Sequence, residues 1–380
     1  MGMGGALLTS HLGISDSVFR AKLDEQGNIN YSPLYKEYTP TAWPLADELK
    51  AKLNANENPH GPSPKAFEAL AGSLGRSNRY AWKELYGLID KIADYEGVQK
   101  ENIFMGPGSS DILEKTAMVL FQHGGNVVSA DPAYMSLVKV AQAVGAEWKS
   151  VPLASDWSHD LDAMEAAMDE DTKLVYICNP NNPTGTITDA QKLKSFCERV
   201  SEKVTVFVDE AYLDFIEDGF SQSMASLVSA GKNIIVARTF SKIHGMAGLR
   251  VGYAVATEEI LEDFRKITRG GMGISYPSVH AAMASMDDAN FLIKSRELNK
   301  MSRHYTISSL IELGHEPVPS HTSFLIFPIP VEGKPFLEQM YDQQVAVRAF
   351  QFKDQNWCRV SVGTSDEMRI FINTIEKVLA

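Results

Sequence analysis

Residues 233–256 read NIIVARTFSKIHGMAGLRVGYAVA, two apolar runs on either side of a polar insert. The insert places Lys242 a few residues after the run NIIVA, with Arg250 eight positions further on. Ammonium groups resist burial, so a lysine at the end of a buried strand indicates a chemical task. The stretch therefore predicts a buried strand that delivers a functional lysine to its end.

Short apolar runs of this kind alternate with helical segments along the chain. They are NVVSA (126–130), KLVYIC (173–178), VTVFV (204–208), NIIVA (233–237) and VGYAVA (251–256). Several are apolar on both faces, as strands of a covered parallel sheet are, and an amphipathic segment such as 189–203 lies between two of them. The pattern predicts an α/β fold in which a large domain has a mostly parallel, doubly wound sheet.

The pattern changes after Ser285. Residues 290–314 read as one long helix that ends at Gly314, and the strands SFLIFPI and CRVSVG and a last helix follow. This predicts a smaller α+β domain. We expect an N-terminal arm and part of the small domain over 1–53, a large domain that carries the functional lysine over 54–285 and a small domain over 286–380. The arm either runs over a neighbouring subunit or joins the small domain.

Composition limits the classes of partner. The chain of 380 residues carries a formal net charge of -12 and has a pI near 5.3, which argues against nucleic acid or an anionic membrane as partner. The three cysteines lie far apart, and no metal-ligand spacing occurs, so we expect reduced thiols and no metal site.

The first residues, MGMGGALLTSHLG, lack the basic region of a signal peptide. We expect a cytoplasmic protein. Export is the minor alternative, if a leader preceding Met1 is missing from this sequence.

Polar residues follow several predicted strands, and the carboxyl ends of parallel strands are where ligands bind. Ser109 and Ser110 follow a glycine-rich turn that opens a helix, either as an anion site or as an ordinary capped helix start. Tyr134, in SADPAYMS, either stacks on a planar ring or packs in the core.

Two further strand ends give stronger indications. Asn182 lies in the rigid loop CNPNNPTGT, which is either a ligand-directing loop or a structural turn. The carboxylate of Asp209 emerges from the apolar strand VTVFV, and Tyr212 follows three residues later. A buried carboxylate needs a cation or a hydrogen-bond donor, which is a ligand or, if Asp209 caps a helix, a backbone N–H.

Together these residues match what pyridoxal phosphate requires. Lys242 would form a Schiff base with the aldehyde, Asp209 would pair with the pyridinium nitrogen, and Asn182 and Tyr212 would hold the ring oxygen. The phosphate would be bound by Ser109, Ser110, Thr239, Ser241 and Arg250.

The order of motifs also carries a resemblance. The motifs are LNANENPHGPSP (53–64), NRY (78–80), NPNNPTG (179–185), DEAY (209–212), TFSK (239–242) and CRVSVGT (358–364). The sequence resembles the fold-type I, class I/II pyridoxal phosphate-dependent aminotransferases, most closely the histidinol-phosphate aminotransferase group. It departs from that group in the cradle sequence GSSD and in the arm NINYSPLYKEYTP.

The resemblance implies further roles. Lys242 would also shuttle the proton, Arg359 would bind the substrate carboxylate or an equivalent anion, and Arg348 would be a second anion-binding arginine. Tyr80 would reach the cofactor phosphate of a neighbouring subunit, which implies a homodimer with shared active sites.

The expected reaction moves an amino group from histidinol phosphate or an amino acid to a 2-oxo acid such as 2-oxoglutarate, in the ping-pong manner. Three alternatives stay open from the sequence. They are a threonine-phosphate decarboxylase-like enzyme, an aromatic or broad-range amino-acid aminotransferase and, more remotely, a non-enzymatic regulator that binds pyridoxal phosphate.

Overall fold

The computed structural model describes residue 32, residues 34–41 and residues 48–380. The expectations for the opening segment and for most of the arm lie outside the described residues. The strands are β1 (Tyr35–Glu37), β2 (Ala51–Lys52), β3 (Ile103–Gly106), β4 (Asn126–Asp131), β5 (Glu147–Pro152), β6 (Thr172–Cys178), β7 (Thr205–Asp209), β8 (Ile234–Thr239), β9 (Gly252–Ala256), β10 (Phe324–Ile329), β11 (Val345–Ala346), β12 (Arg348–Phe352) and β13 (Gln355–Ser361).

The helices lie between and after these strands. They are α1 (Pro64–Ser73), α2 (Trp82–Glu96), α3 (Ser109–Leu120), α4 (Ser136–Ala143), α5 (Leu161–Ala166), α6 (Ala190–Val200), α7 (Ala225–Ser229), α8 (Glu258–Ile267), α9 (Tyr276–Met286), α10 (Ala289–Glu312), α11 (Gly333–Asp342) and α12 (Ser365–Val378). Among them, no helix is long and apolar enough to cross a membrane.

A seven-stranded sheet runs in the order β3-β9-β8-β7-β6-β4-β5. Its pairs are parallel except those made by β9, which is antiparallel to both β3 and β8. The prediction of a mostly parallel α/β sheet is confirmed. The reversed direction of β9 was not predicted, because a run that is apolar on both faces reads the same in either orientation.

The central strands are buried on both faces. On one face, Val175 and Val206 pack into a core under helices that include α2, α6 and α9. On the other face, Tyr176 and Phe207 pack against α3 and α4, with their ring centroids 5.9 Å apart. Two covered faces explain why these strands have no polar alternation. The strand β5 is half-exposed, and it was not predicted because its sequence EWKSVP is not an apolar run.

A second, antiparallel sheet has the order β1-β12-β13-β10 and packs against α10, α11 and α12. The predicted long helix is α10, and Gly314 follows it with a left-handed φ of 86°. Two pieces of the N-terminal region join this part of the molecule, since β1 pairs with β12 and β2 pairs with β11. The exact domain boundaries stay a prediction.

Candidate active site

One large cleft lies at the carboxyl edge of the seven-stranded sheet, facing the second sheet. The predicted site residues that line it are Ser109, Ser110, Tyr134, Asn182, Asp209, Tyr212, Thr239, Ser241, Lys242, Arg250, Arg348 and Arg359. Tyr80 does not line this cleft, and 72% of its side chain is exposed. The cleft thus brings together residues that are 250 positions apart in sequence, from Ser109, expected from a strand end, to Arg359, implied by the resemblance.

Lys242 lies three residues after β8, on the loop that leads toward β9. Its Nζ is 5.4 Å from the centroid of the Tyr212 ring. Burial, only partly offset by nearby groups, lowers the pKa of its ammonium group to about 8. The lysine therefore holds a proton loosely near neutral pH, which suits an amine that must act as nucleophile and base.

Asp209 is the last residue of β7 and is 2% exposed. Its backbone neighbours are Cys178 on β6 and Ala237 on β8, and the N–H of Ala211 donates to its Oδ1 at 3.2 Å. Burial raises the pKa of this carboxyl group to about 6, although Lys242 opposes the change. A carboxylate held in such surroundings gains from a cationic partner in the cleft.

Tyr212 is fixed from two sides. Its hydroxyl accepts a hydrogen bond from Nδ2 of Asn56 at 3.1 Å, and its ring meets Phe324 edge-on at 5.0 Å. Asn56 is fixed in turn by Ser361 on β13, which accepts from the Asn56 backbone N–H and donates to its Oδ1, both at 2.8 Å. Burial raises the pKa of the Tyr212 phenol, so its hydroxyl stays protonated and can donate.

Two arginines lie at the second-sheet wall of the cleft. Arg348 and Arg359 are cross-strand partners on β12 and β13, and both donate to the carbonyl of Asn54, at 2.7 and 3.4 Å. Arg359 also donates to Oδ1 of Asn182 at 2.7 Å, and its guanidinium carbon is 5.5 Å from the ring centroid of Phe324. The Arg359 Nε is buried without a hydrogen-bond partner, which leaves a cation ready for an anion.

The start of α3 forms a cradle of suitable shape for a phosphate group. Its N-cap is Gly108, which has a φ of 92° and makes no side-chain capping bond, so the first N–H groups of the helix are available. Arg250 crosses the cradle and donates to the Pro107 carbonyl at 3.2 Å and to Ser241 Oγ at 3.3 Å. A Cβ at Gly252 would lie 2.5 Å from the Ser109 nitrogen, so only glycine permits this close approach.

Hydroxyl groups complete the cradle. The hydroxyls of Ser110 and Tyr134 are 3.4 Å apart, and Thr239 Oγ1 accepts from the N–H of Ser241 at 3.0 Å. This donor set fits the phosphate of pyridoxal phosphate. The amine of Lys242, which holds its proton loosely, suits a reaction with the aldehyde. Within residues 34–41 and 48–380, no group of acidic, histidine and cysteine side chains is arranged to bind a metal ion.

The sequence analysis missed four residues of this cleft region. Asn56 lies in the motif LNANENPHGPSP, and that motif could have indicated a role for it. Asp131 ends β4, and Ser32 donates to its Oδ2 at 2.8 Å. Glu37 forms an ion pair with Arg348. The arm offered no periodic pattern from which Ser32 or Glu37 could be selected.

Comparison with known proteins gives the family. The profile of the family "Aminotransferase class I and II" matches residues 49–375. The chain belongs to the class I and II aminotransferases. It is therefore a pyridoxal phosphate-dependent aminotransferase, as the cleft geometry and the sequence resemblance indicated.

Individual members of this aminotransferase family are similar over most of their length. The histidinol-phosphate aminotransferase of Moorella thermoacetica is 37% identical over 331 residues, which are 87% of this chain and 85% of that protein. Histidinol-phosphate aminotransferase 1 of Dechloromonas aromatica is 37% identical over 87% of this chain and 91% of its own. The solved histidinol-phosphate aminotransferase of Sinorhizobium meliloti, in complex with pyridoxal-5'-phosphate, superposes with a TM-score of 0.81 at 27% identity and covers 87% of this chain and 91% of that chain.

Proposed function

We propose that this aminotransferase takes its amino group from histidinol phosphate and passes it to a 2-oxo acid such as 2-oxoglutarate. The observation that carries the proposal is the pair Arg348 and Arg359, two guanidinium groups on neighbouring strands that both reach the Asn54 carbonyl. Two adjacent guanidiniums suit the dianionic phosphate of a donor, since planar forks bind phosphate oxygens bidentately. The names of the relatives at 37% identity support the same donor.

The roles of the side chains follow from their places in the cleft. Bound pyridoxal phosphate supplies an aldehyde that takes up amino groups and a ring that withdraws electrons from the neighbouring carbon. The Nζ of Lys242, with its pKa lowered to about 8, accepts the proton from the α-carbon of the substrate and later returns it. Lys242 is thus both the attachment point and the proton carrier.

Three buried side chains would orient the ring. Asp209 would hold the ring nitrogen in its protonated form, because the buried carboxylate needs a cationic partner. Tyr212 and Asn182 would bind the ring oxygen, and each is already positioned, by Asn56 and by Arg359 respectively. Tyr134, which also lines the cleft, would cover the ring face.

The cradle would bind the cofactor phosphate. The N–H groups of Ser109 and Ser110 at the start of α3 and the guanidinium of Arg250 supply the positive field. The hydroxyls of Thr239 and Ser241 add short-range donors. The cofactor would then be held at its phosphate by the cradle and at its ring by Asp209, Asn182 and Tyr212, while Lys242 and the two arginines line the same cleft.

We further propose a homodimer in which Tyr80 contributes to the neighbour's site. The chain between residues 67 and 86 exposes several large apolar residues, and the rings of Tyr80 and Trp82 lie 6.1 Å apart. The exposed residues are Phe67, Leu74, Tyr80, Trp82 and Tyr86, between 49% and 72% exposed. A concentration of large exposed apolar residues in one stretch of the chain is typical of a protein interface. Sedimentation of the wild type and of Trp82→Glu tests the proposed dimer, since Trp82→Glu should sediment as a monomer. The control Glu376→Gln, at an exposed residue of α12, should sediment as a dimer like the wild type.

We also propose a cytoplasmic location. The three cysteines, Cys178, Cys197 and Cys358, are buried and free, which is typical of proteins in a reducing compartment.

The test of the donor uses the loaded protein without an acceptor. Mixing it with histidinol phosphate should convert the absorbance of the bound aldehyde form into that of pyridoxamine phosphate. Histidinol, which lacks the phosphate, should react at least about a hundredfold less efficiently, since it loses charge-assisted hydrogen bonds to two arginines.

An unchanged spectrum with histidinol phosphate would overturn the proposed donor. The same assay with aromatic amino acids then tests the broad-range alternative. Release of carbon dioxide from threonine phosphate would identify the decarboxylase alternative.

A further inference from the structure

The short strand β1 brings one carboxylate into the substrate end of the cleft. Its three residues pair with β12, so that Glu37 lies opposite Phe350 and Tyr35 opposite Phe352. Ser32, just before the strand, donates to Asp131 at 2.8 Å and accepts from the N–H of Tyr35 at 2.8 Å. The position of Glu37 is therefore set by backbone pairing at one end and by a buried side-chain contact at the other.

Glu37 gives the two arginines of the cleft different charge compensation. Its Oε1 accepts a hydrogen bond from Nη1 of Arg348, and the Nε of the same arginine is used by Asn54. Arg359 has no carboxylate within ion-pair distance among the described residues, and its Nε is unpaired. The cleft thus presents one compensated and one uncompensated guanidinium.

The two half-reactions place different charges at these arginines. On the proposed function, the donor brings a phosphate, which is dianionic above its second pKa of about 6. The 2-oxo acid brings its α-carboxylate, which carries a single charge, while the second carboxylate of 2-oxoglutarate lies at the other end of its carbon chain. A monoanion that binds Arg359 would leave the half-exposed guanidinium of Arg348 without an anionic partner unless a carboxylate of the protein supplies one. A dianion would satisfy both.

We propose that Glu37 is a specificity-determining residue that adjusts the cleft to both charges. When the 2-oxo acid binds, its carboxylate pairs with Arg359, and Glu37 remains paired with Arg348. When the phosphate donor binds, it engages both arginines and Glu37 leaves Arg348 for the solvent. The Glu37–Arg348 pair is partly exposed, with 33% and 39% of the two side chains accessible, so its separation costs little. This inference rests on the proposed function.

Calorimetric titration of the loaded protein at pH 8 tests this role without turnover. Propyl phosphate serves as the dianion, propionate as the monoanion, and neither carries an amino group that could react. In Glu37→Gln the phosphate no longer has to displace a carboxylate. We expect its dissociation constant to fall roughly fivefold, the value of a partly exposed ion pair, and that of propionate to change by at most about twofold.

The matched control is Glu376→Gln, which removes an exposed carboxylate on α12 and should leave both constants unchanged. Equal tightening of both ligands, or no change in either, would overturn the role of Glu37. Far-ultraviolet circular dichroism and the cofactor absorbance verify that the variant is folded and loaded.

A third variant separates this inference from the proposed function. If Arg359→Gln leaves propyl phosphate binding unchanged, the anion does not bind at the arginine pair, and the proposed donor site fails together with the inference. If Arg359→Gln weakens binding but Glu37→Gln moves both ligands alike, the donor site stands and only the role of Glu37 fails.

Discussion

Replacing Asp209 by asparagine should stabilise the cofactor-free protein at alkaline pH while it damages catalysis. The carboxyl is 2% exposed, and burial raises its pKa from 3.8 to about 6. A carboxyl with a raised pKa binds its proton more tightly in the folded than in the unfolded chain. The free energy of unfolding therefore falls as the pH rises from about 4 to about 6, and it stays lower at higher pH.

The size of the effect follows from the same two values. Each tenfold difference in proton affinity is about 1.36 kcal/mol, so the gap between 3.8 and about 6 amounts to about 3 kcal/mol at pH 8. At pH 4.5 only about 1 kcal/mol of this cost is present. Unfolding entropy of about 2.1 cal/mol/K per residue over 380 residues converts 3 kcal/mol into a rise in Tm of about 4 °C.

Scanning calorimetry of the cofactor-free wild type and Asp209→Asn at pH 4.5 and pH 8 measures this difference. The amide oxygen of asparagine can still accept from the Ala211 N–H, and the exposed Asp90→Asn on α2 is the control for a lost surface charge. A lower Tm for Asp209→Asn at pH 8, or a gain independent of pH, would refute the reasoning. The loaded variant should lose most of its turnover, and near-normal turnover would mean that another group protonates the ring.

Three further changes test the cleft. In Lys242→Ala, borohydride should no longer attach the cofactor covalently to the chain, as intact-mass spectrometry would detect, whereas the exposed Lys334→Ala should label like the wild type. Gly252→Ala places a Cβ 2.5 Å from the Ser109 nitrogen and should weaken cofactor binding at least about tenfold in an equilibrium titration. Gly248→Ala, in open space on the loop that precedes β9, is the control, and equal affinities of the two variants would contradict the cradle. Arg359→Lys should lower kcat/KM for histidinol phosphate about a hundredfold because the bidentate fork is lost, and a loss under threefold would rule out that contact.

The sequence predicted the residues that end strands. Lys242, Asp209 and Asn182 each follow an apolar run, and parallel strands must bring their carboxyl ends to one edge. The fold class followed from the same runs. The apolar runs did not predict that β9 is antiparallel to its neighbours, since its apolar residues suit either orientation.

Contacts between residues far apart in sequence could not be predicted. Asn56 reaches Tyr212 across 156 positions, and Glu37 reaches Arg348 across 311. The first contact depends on how β13 is placed against the seven-stranded sheet and the second on the pairing of β1 with β12, and no local pattern encodes either. Tyr80 stays a prediction for a related reason, because its proposed partner is a second copy of the chain.

The division of the cleft between two sheets separates recognition from reactivity. Lys242, Asp209 and the cradle residues belong to the seven-stranded sheet and its loops, whereas Arg348, Arg359 and Glu37 belong to the four-stranded sheet. We therefore expect changes at Glu37 on β1 or Arg348 on β12 to alter the charge of the substrate that binds without displacing Lys242. Changes at Arg359 or Ser361 on β13 would also disturb Asn182 or Asn56. For a protein engineer, the four-stranded sheet is therefore the part of the cleft to vary when the substrate is to be changed.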